Sequence, residues 1–466
     1  MSSLITKPQG HRGTAKNILF ILFALAIHFI PATAQAVPPI EEARLNNGLR
    51  ILLMQAHNVP MVSMQLTLPA GSRFDPEGQG GSASMLAAML SDHTARHDFV
   101  AWANLLDAEA IRLGAGAGRD NLDVSLTVLK EVLPAGIHAF TEALLQPGWD
   151  IVRFEILKED AVAAAQKAQE EPGIRASEAL GQLVFGTHPY GHRPDGSLES
   201  LKRIELSSLK RLYRSQVKPE EAVLAVSGDI DMPELLKLLV PLLKDWQGAP
   251  ETGLFTIDPP LETRGLNEQV EMETKQALVS FGRLGPDRKA ADFFPAFVLN
   301  HILGGGGFSS ILMEEVREKR GLVYGIYSYF VPLAVPGPYV ISLQTRADQA
   351  DQASQVVRDV LAELFEKGVT DKQLQDAKAN LMGSFAQRMD SNRERVGLIS
   401  MIGFYDLPPD YLQAWTDKVN AVSIADIKQA AGRYLNPDDW NQVRVGPLLE
   451  NHDPQPAPPP EPHTAP

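Results

Sequence analysis

Five histidines are the first residues whose type could support metal chemistry. His93 and His97 lie four residues apart in "HTARH", and on a helix the two imidazoles would share one face. The segment has no central glutamate to act as a base, and we interpret it as a surface loop. His188 and His192 in "HPYGH" enclose a proline and a glycine, which excludes helical spacing and favours a structural turn. His301 lies in the apolar segment "VLNHIL" and is predicted to be a core histidine.

The segment "GQGGSASMLAAML", residues 78–90, is a second place where reactive groups are expected. It begins as a glycine-rich turn and continues as a helix, directly after a predicted strand. Its helical part carries only small or apolar side chains and two serines, so it offers neither an imidazole nor a carboxylate. The chain has no cysteine, which excludes disulfides, thiolate nucleophiles and cysteine zinc sites. The net charge of -14 argues against a nucleic-acid partner, because phosphate backbones require clustered lysine and arginine.

The two ends of the chain are predicted to lie outside the folded part. Residues 1–36 combine a basic start, the apolar run "ILFILFALAI" and small residues at Ala34 and Ala36, which indicates a secretory signal cleaved near Ala36. An uncleaved anchor is the alternative. Cleavage would leave an exported chain without stable membrane insertion. Residues 449–466 are rich in proline and are predicted to be extended.

Between these ends, two halves show the same order of elements. "VSMQLTL" alternates apolar and polar residues, as expected of a strand with one face in a core, and "QALVSFGRLG" is the corresponding strand of the second half. Each strand is followed by a glycine-containing loop and helices. A length of 466 residues also exceeds one ordinary core. We therefore predict α+β domains at 40–247 and 266–448, joined by a linker at 248–265 that is rich in glycine, proline and threonine.

From Asn46 to about Gly446 the chain resembles the insulinase-like M16 zinc peptidases, in the branch of the mitochondrial processing peptidases. The matching phrases are "NGLRILL", "GSRFDPEGQGGSASMLAAML", "VFGTHPYG", "AVLAVSGDI" and "LNHILGGGGFSSILMEEVREKRGLVYGIYS". The resemblance implies two homologous LuxS/metallohydrolase-like α/β-sandwich domains in tandem.

In active members of that family, the helix after the glycine turn carries the zinc motif H-x-x-E-H. The corresponding positions here are Ser84, Ala87 and Ala88, which supply neither of the two imidazoles nor the carboxylate base. The family's third ligand, a glutamate on a later helix, is expected near residues 163–165, where this chain has alanines. The resemblance therefore implies a degenerate, non-binding metal motif and no catalytic zinc in this chain.

The second half retains the other part of the family's machinery. Arg317 and Tyr324 in "VREKRGLVY" match the pair that, in the family, holds the substrate backbone and stabilises the oxyanion. A guanidinium can donate two hydrogen bonds to peptide carbonyls, and a phenol hydroxyl can donate to the tetrahedral oxygen. A solvated charged helix face and strand packing of the tyrosine are the structural alternatives. Gly305 and Gly306, within the run 304–307, allow a peptide close to the backbone, or else form a hinge between two helices.

These observations lead to one preferred function and two alternatives. The preferred function is a non-metal subunit of a heterodimeric zinc endopeptidase in the periplasm, whose partner carries H-x-x-E-H and the zinc. Arg317 and Tyr324 would act on unfolded or short peptides held between the two proteins. A pseudopeptidase that binds peptides or acts as a scaffold is the first alternative. A peptidase with a relocated metal site is the second.

Overall fold

A computed structural model describes residues 37–447. The predicted signal (1–36) and the proline-rich tail (449–466) lie outside the described residues. From residue 39 onward the described chain forms one compact unit that contains two β-sheets. The domain boundaries at residues 247 and 266 stay a prediction. None of the helices between residues 37 and 447 has the length and apolar character needed to cross a membrane.

The first sheet contains six strands from the first half of the chain. In chain order they are β1 (Glu41–Arg44), β2 (Arg50–Gln55), β3 (Met61–Leu68), β4 (Arg112–Ala117), β5 (Leu122–Leu129) and β6 (Val223–Gly228). Their order in space is β1-β2-β6-β3-β5-β4. Strands β2 and β6 run parallel, and all other neighbours are antiparallel.

The second sheet contains five strands from the second half. They are β7 (Asn267–Glu271), β8 (Gln276–Leu284), β9 (Val323–Phe330), β10 (Pro338–Arg346) and β11 (Asn441–Gly446). Their order is β7-β11-β8-β10-β9, with one parallel pair between β7 and β11. The predicted α+β class is confirmed: both sheets are mixed and both are flanked by helices.

Fourteen α-helices lie among the described residues. They are α1 (Ser82–Asp92), α2 (Phe99–Ala108), α3 (Leu133–Leu145), α4 (Ile151–Ala168), α5 (Pro172–Phe185), α6 (Leu198–Arg203), α7 (Leu206–Gln216), α8 (Met232–Leu243), α9 (Phe293–Asn300), α10 (Ala350–Lys367), α11 (Asp371–Gly383), α12 (Asn392–Phe404), α13 (Trp415–Ala421) and α14 (Ile424–Tyr434). The residue after α9 begins a π-helix, His301–Gly305, and a second π-helix spans Met313–Glu318.

The two halves exchange one helix each. Helix α5, from the first half, packs on β8 and β11 of the second sheet, whereas α12, from the second half, packs on β2, β3 and β6 of the first. Both contacts need a glycine: a Cβ at Gly282 would lie 2.8 Å from Leu180, and one at Gly403 would lie 2.6 Å from Leu52 and Val223. Each sheet is therefore covered on one face by its own half and on the other by a helix of the opposite half.

This exchange modifies the prediction for β3. Its alternate residues Val62, Met64, Leu66 and Leu68 are buried in the core of the first half, as the alternation predicted. Thr67, on the opposite face, is buried as well, because α12 covers that face. Its hydroxyl is within hydrogen-bond distance of Ser400 in that helix, at 2.5 Å.

A buried carboxylate also joins the halves. Asp120 is fully buried and accepts hydrogen bonds from the Tyr190 hydroxyl in the first half, and from the Ala334 amide (2.8 Å) and the Tyr405 hydroxyl (3.0 Å) in the second. The Nε of Arg73 lies 3.6 Å from the same carboxylate, and that side chain is almost fully buried. Burial raises the pKa of both tyrosines, so their hydroxyls remain donors.

Candidate functional site

The three positions of the degenerate metal motif lie on α1, and their side chains offer no metal ligands of the type that zinc requires. Ser84 uses its hydroxyl in the structure, donating to the carbonyl oxygen of Pro194 at 2.9 Å. Ala87 is 1% exposed and packs in the core, and Ala88 is half-buried. These side chains do not fit a zinc ion, because none of them offers a nitrogen or carboxylate ligand.

The beginning of α1 is held by a buried acid. Asp75 accepts hydrogen bonds from the backbone amides of Gly81 and Ala83, both at 2.7 Å, and its carboxylate lies 3.2 Å from the imidazole of His192. Burial raises the pKa of Asp75, and the hydrogen bond with His192 opposes that shift. The carboxylate of Asp75 therefore caps the first turn of α1, although Ser84, Ala87 and Ala88 in that helix carry no imidazole or carboxylate.

Helix α4, which packs against α1, contains the region where the family's third ligand was expected. Ala163 and Ala164 are exposed, and Ala165 packs against the core of the first half. Within residues 37–447, no three or more histidine, aspartate or glutamate side chains converge in a way that could hold a metal ion.

The histidine pairs have structural partners. His93 ends α1 and is buried against Gly148, so the prediction of a surface loop is wrong for this residue, although His97 is partly exposed. His93 donates to Asp92 (2.8 Å) and His97 to Glu142 (2.9 Å), so the two imidazoles are directed to separate carboxylates. They do not share one helix face, because α1 ends at Asp92 and both histidines follow it.

His188, of the second pair, lies in a hydrogen-bonded turn, whereas the lone His301 lies at the start of a π-helix. His188 accepts from the backbone amide of Tyr190 and donates to the carbonyl of Asp258 at 3.0 Å, which agrees with the predicted structural turn. His301 is only half-buried and begins a π-helix instead of lying within a core helix. Burial lowers the pKa of His301, and the Arg388 guanidinium lowers it further.

Arg317 lies on the π-helix Met313–Glu318, and its side chain is one third exposed. Its guanidinium carbon lies 4.8 Å from the centre of the Phe308 ring, and its Nη1 lies 3.1 Å from the Glu318 carboxylate. Phe308 is itself 74% exposed and was not predicted from the sequence. A π-helical turn often marks a functional site, because it costs stability relative to a regular helix.

The glycine run before this helix packs mostly against the protein itself. A Cβ at Gly304 would lie 2.5 Å from Ser328, one at Gly305 would lie 2.7 Å from the Asn300 side chain, and one at Gly306 would lie 2.8 Å from the carbonyl of the first π-helical residue. Internal crowding thus explains why these positions need glycine. Gly305 is nevertheless exposed, and its contact with a peptide, like that of Gly306, stays a prediction.

Tyr324 follows Arg317 through a tight turn and enters β9 in a β-bulge. Val323 pairs with Thr345 and Ile326 pairs with Leu343, so two residues of β9 lie opposite one residue of β10. The extra residue shifts the alternation of side chains. Tyr324 is 88% exposed as a result, whereas its neighbours in the pairing scheme, Val323 and Ile326, are buried.

Two further tyrosines of β9 are exposed on the face that Tyr324 shares. Tyr327 is 55% exposed and Tyr329 is 50% exposed. The structural alternative of strand packing is therefore wrong for Tyr324, and its neighbours Tyr327 and Tyr329 are exposed as well. The exposure of these tyrosines cannot be read from the sequence of β9 alone. It depends on the bulge opposite β10 and on the position of β9 at the edge of the sheet.

Comparisons with known proteins show which family this chain is similar to. Residues 203–381 match a family described as "Peptidase M16 inactive domain". A crystal structure of a peptidase M16 inactive domain from Pseudomonas fluorescens is 32% identical, with a TM-score of 0.83, and the match covers 88% of this chain and 98% of that chain.

Two curated proteins match over similar lengths. A Helicobacter pylori protein named "Non-peptidase homolog YmxG" is 26% identical over 418 residues, covering 88% of this chain and 94% of that protein. A Bacillus subtilis protein named "Uncharacterized zinc protease YmxG" is 24% identical over 415 residues, covering 88% of this chain and 98% of that protein. The names of similar proteins thus include both a peptidase and a non-peptidase.

Proposed function

Because this chain belongs to the peptidase M16 family and is similar to its inactive domains, we propose that it is the non-metal subunit of a heterodimeric zinc endopeptidase. In this arrangement a second M16 subunit carries the intact H-x-x-E-H motif. The present chain supplies Arg317 and Tyr324 to a composite site. The substrates are unfolded or short peptides, because a chamber between two subunits excludes folded domains.

One contrast between two regions carries the proposal. The ligand positions on α1 hold Ser84, Ala87 and Ala88, of which one is hydrogen-bonded internally and one is buried. Tyr324, in the second half, has a freely exposed phenol, and Arg317 remains partly exposed. A chain that lacks metal ligands but presents a hydrogen-bond donor pair is suited to complete a site on another protein.

The chemical roles follow from the donors available. The partner's zinc would supply an activated water for attack on the amide carbonyl. Arg317 would donate hydrogen bonds to substrate carbonyls, with its guanidinium oriented by Phe308 and Glu318. The Tyr324 hydroxyl would donate to the oxygen that becomes negative in the tetrahedral intermediate. A donor of this kind commonly contributes about a hundredfold in rate.

Export to the periplasm is part of the same proposal. It is supported by the composition of residues 1–36, with their basic start, apolar run and small residues at the cleavage position. The chain's net negative charge argues against a nucleic-acid partner.

Reconstitution tests the proposal directly. This chain is mixed with a separately produced M16 protein that carries H-x-x-E-H, and cleavage of a quenched fluorescent peptide is measured. We expect the mixture to cleave the peptide much faster than the partner alone. No gain at any ratio of the two proteins would contradict the proposal.

Variants then assign the roles. Arg317→Ala or Tyr324→Phe should each lower the turnover of the mixture about a hundredfold, without changing its zinc content. Arg320→Ala is the matched control, because Arg320 is an exposed arginine on the same segment that is bonded to Glu315 instead. Full turnover in both of the first two variants would remove the assigned roles.

A second candidate is a peptide-binding or scaffold protein without any part in catalysis. The name "Non-peptidase homolog" of the Helicobacter pylori protein favours it. The two candidates differ in one measurement, since a scaffold would join a stable complex with the partner yet leave its peptide turnover unchanged.

A further inference from the structure

Four strands lie at sheet edges: β1 and β4 in the first sheet, β7 and β9 in the second. Edge strands present unpaired backbone groups, and proteins usually protect them with charged residues. Three of the four follow this rule, with the charged residues Glu41, Glu42 and Arg44 in β1, Arg112 in β4, and Glu268 and Glu271 in β7. Strand β9, with the sequence "VYGIYSYF", has none.

The bulge at the start of β9 aligns its tyrosines. Strict alternation would have placed Tyr324 on the face of Ile326 and Ser328, both of which are buried. The additional residue turns it instead to the face of Tyr327 and Tyr329. The three phenols therefore form one row about 13 Å long, at roughly 3.3 Å for each of the four residue steps that it spans on the partner strand β10.

Gly325 allows this row to be continuous. A Cβ at this position would lie 3.1 Å from the Tyr327 hydroxyl oxygen and 3.2 Å from its ring. The Tyr327 ring thus lies along the strand over Gly325, towards Tyr324. The next strand adds uncharged groups on the same face, since Ser342 pairs with Tyr327 and Val340 with Tyr329.

We propose that Tyr327 and Tyr329 are specificity-determining residues, which bind apolar side chains of the extended peptide held at Tyr324. A phenol offers a large apolar surface and one hydroxyl, at low cost in conformational entropy, and is well suited to contacts of this kind. The row begins at the residue assigned to the reacting amide and runs along a strand, which matches an extended peptide better than a folded surface. This inference rests on the proposed function for its substrate class.

Peptide binding to the purified chain tests the inference without the partner. Two fluorescent ten-residue peptides are compared, one with leucine or phenylalanine at alternate positions and one with serine or glutamine there. Fluorescence anisotropy gives the Kd of each. We expect the apolar peptide to bind more tightly, and the double variant Tyr327→Ser/Tyr329→Ser to raise its Kd at least tenfold while leaving the polar peptide almost unaffected.

Two further variants distinguish a specific effect of the tyrosine row from a general loss of peptide binding. Leu261→Ser is the matched control, because Leu261 is an exposed apolar residue of the predicted linker, and it should leave both Kd values unchanged. Gly325→Ala keeps all three phenols but displaces the Tyr327 ring, and it should weaken only the apolar peptide. Circular dichroism and the unfolding midpoint confirm that each variant is folded.

Two results would overturn the inference: equal Kd values for the two peptides, or an unchanged Kd for the apolar peptide in folded tyrosine variants. The inference would also be overturned if the tyrosine variants lost binding to the partner protein but still bound the apolar peptide. Strand β9 would then be a contact between subunits. The proposed function fails separately. If the partner mixture shows no gain in cleavage but the tyrosines still select the apolar peptide, the inference stands and the composite site does not.

Discussion

Helices α1 and α9 occupy corresponding places in the two halves, since each follows a central strand of its own sheet through a loop. Helix α1 is a regular helix of 11 residues whose side chains serve packing and internal hydrogen bonds: Ser82, Ser84 and Ser91 donate to backbone carbonyls, and Asp92 accepts from Arg153. Helix α9 ends after 8 residues and continues into a π-helix, a glycine turn and a second π-helix that carries Arg317. The helix of the first half is thus regular and mainly packed, whereas the corresponding region of the second half has an irregular backbone with exposed polar and aromatic groups.

The two halves therefore differ in the groups that they present at corresponding places: Ser84, Ala87 and Ala88 carry no imidazole or carboxylate, whereas Arg317 and Tyr324 are partly or largely exposed. A π-helix is rare compared with a regular α-helix and is frequently found at a functional site. Large side chains remain exposed in this part of the second half: Phe308 is 74% exposed and lies against Arg317, and Tyr324 is 88% exposed. The predictions below test this difference between the halves and the interface that joins them.

The largest expected effect is at the interface. Asp120→Ala should lower the free energy of unfolding by about 3–5 kcal/mol, because it leaves the buried Arg73 guanidinium without its nearest carboxylate. Denaturant unfolding measures the change. Tyr405→Phe is the control that removes a single hydrogen bond to Asp120, and it should cost about 1 kcal/mol. A loss below 1 kcal/mol in the alanine variant would show that this carboxylate does not join the halves.

The second effect concerns the missing metal site. The triple variant Ser84→His/Ala87→Glu/Ala88→His recreates the motif, yet we expect no stoichiometric zinc and a loss of about 3 kcal/mol in stability. Ala87 is buried, so a glutamate there combines overpacking with burial of a carboxylate. Metal analysis and denaturant unfolding test both parts. Stoichiometric zinc in a stable variant would mean that the first half is much closer to a metal site than its packing indicates.

The third effect examines the exchanged helices as a matched pair. Gly282→Val and Gly403→Val each insert a side chain between a sheet and the helix from the opposite half. Each should lower the free energy of unfolding by about 1–3 kcal/mol, the usual cost of overpacking. Gly432→Ala, a helical position with open space around it, is the control and should be neutral or slightly stabilising. A neutral result at either valine position would contradict a tight fit at that helix.

The smallest effect is a dependence of stability on pH. Burial lowers the pKa of His188 in the first half and of His301 in the second, below the usual histidine value near 6.5. The unfolded chain therefore binds more protons, and stability should fall as the pH drops through 6.5 towards the lowered values. His188→Gln and His301→Gln should each flatten this slope. Unfolding midpoints measured between pH 5 and about pH 8 give the answer, and an unchanged slope in both variants would refute it.

Several local features were predictable from sequence because they depend on neighbouring residues. In the sequence, apolar residues recur at helical spacing on one face from Ala353 to Phe365, which predicts a helix with one buried face that ends at Gly368. In the structure the apolar residues of this face from Ala353 to Leu364 are buried in α10, and Gly368 follows the helix with a positive φ of 72°. A threonine followed three residues later by a glutamine predicts a capping box, and Thr370 and Gln373 form one at the start of α11. Only Phe365, which the pattern assigned to the same face, remains partly exposed.

The features around the candidate site were less accessible. The sequence identified Arg317 and Tyr324 through resemblance to a family, but Phe308, Tyr327 and Tyr329 carried no signal of exposure. The spacing of the tyrosines reads as ordinary strand packing, because the bulge opposite β10 cannot be seen in one strand alone. Likewise, nothing local to Asp120 indicated that residues of both halves would converge on it.

The amino-acid sequence by itself determined the α+β class, the principal helices and strands, and the small side chains of Ser84, Ala87 and Ala88 on α1. These properties follow from side-chain chemistry and short-range periodicity, which act within one element. The tertiary structure alone decided the exchange of α5 and α12, the convergence on Asp120 and the outward turn of Tyr324. Each of these depends on contacts between residues far apart in the chain, whose geometry is set by the packing of complete sheets and helices.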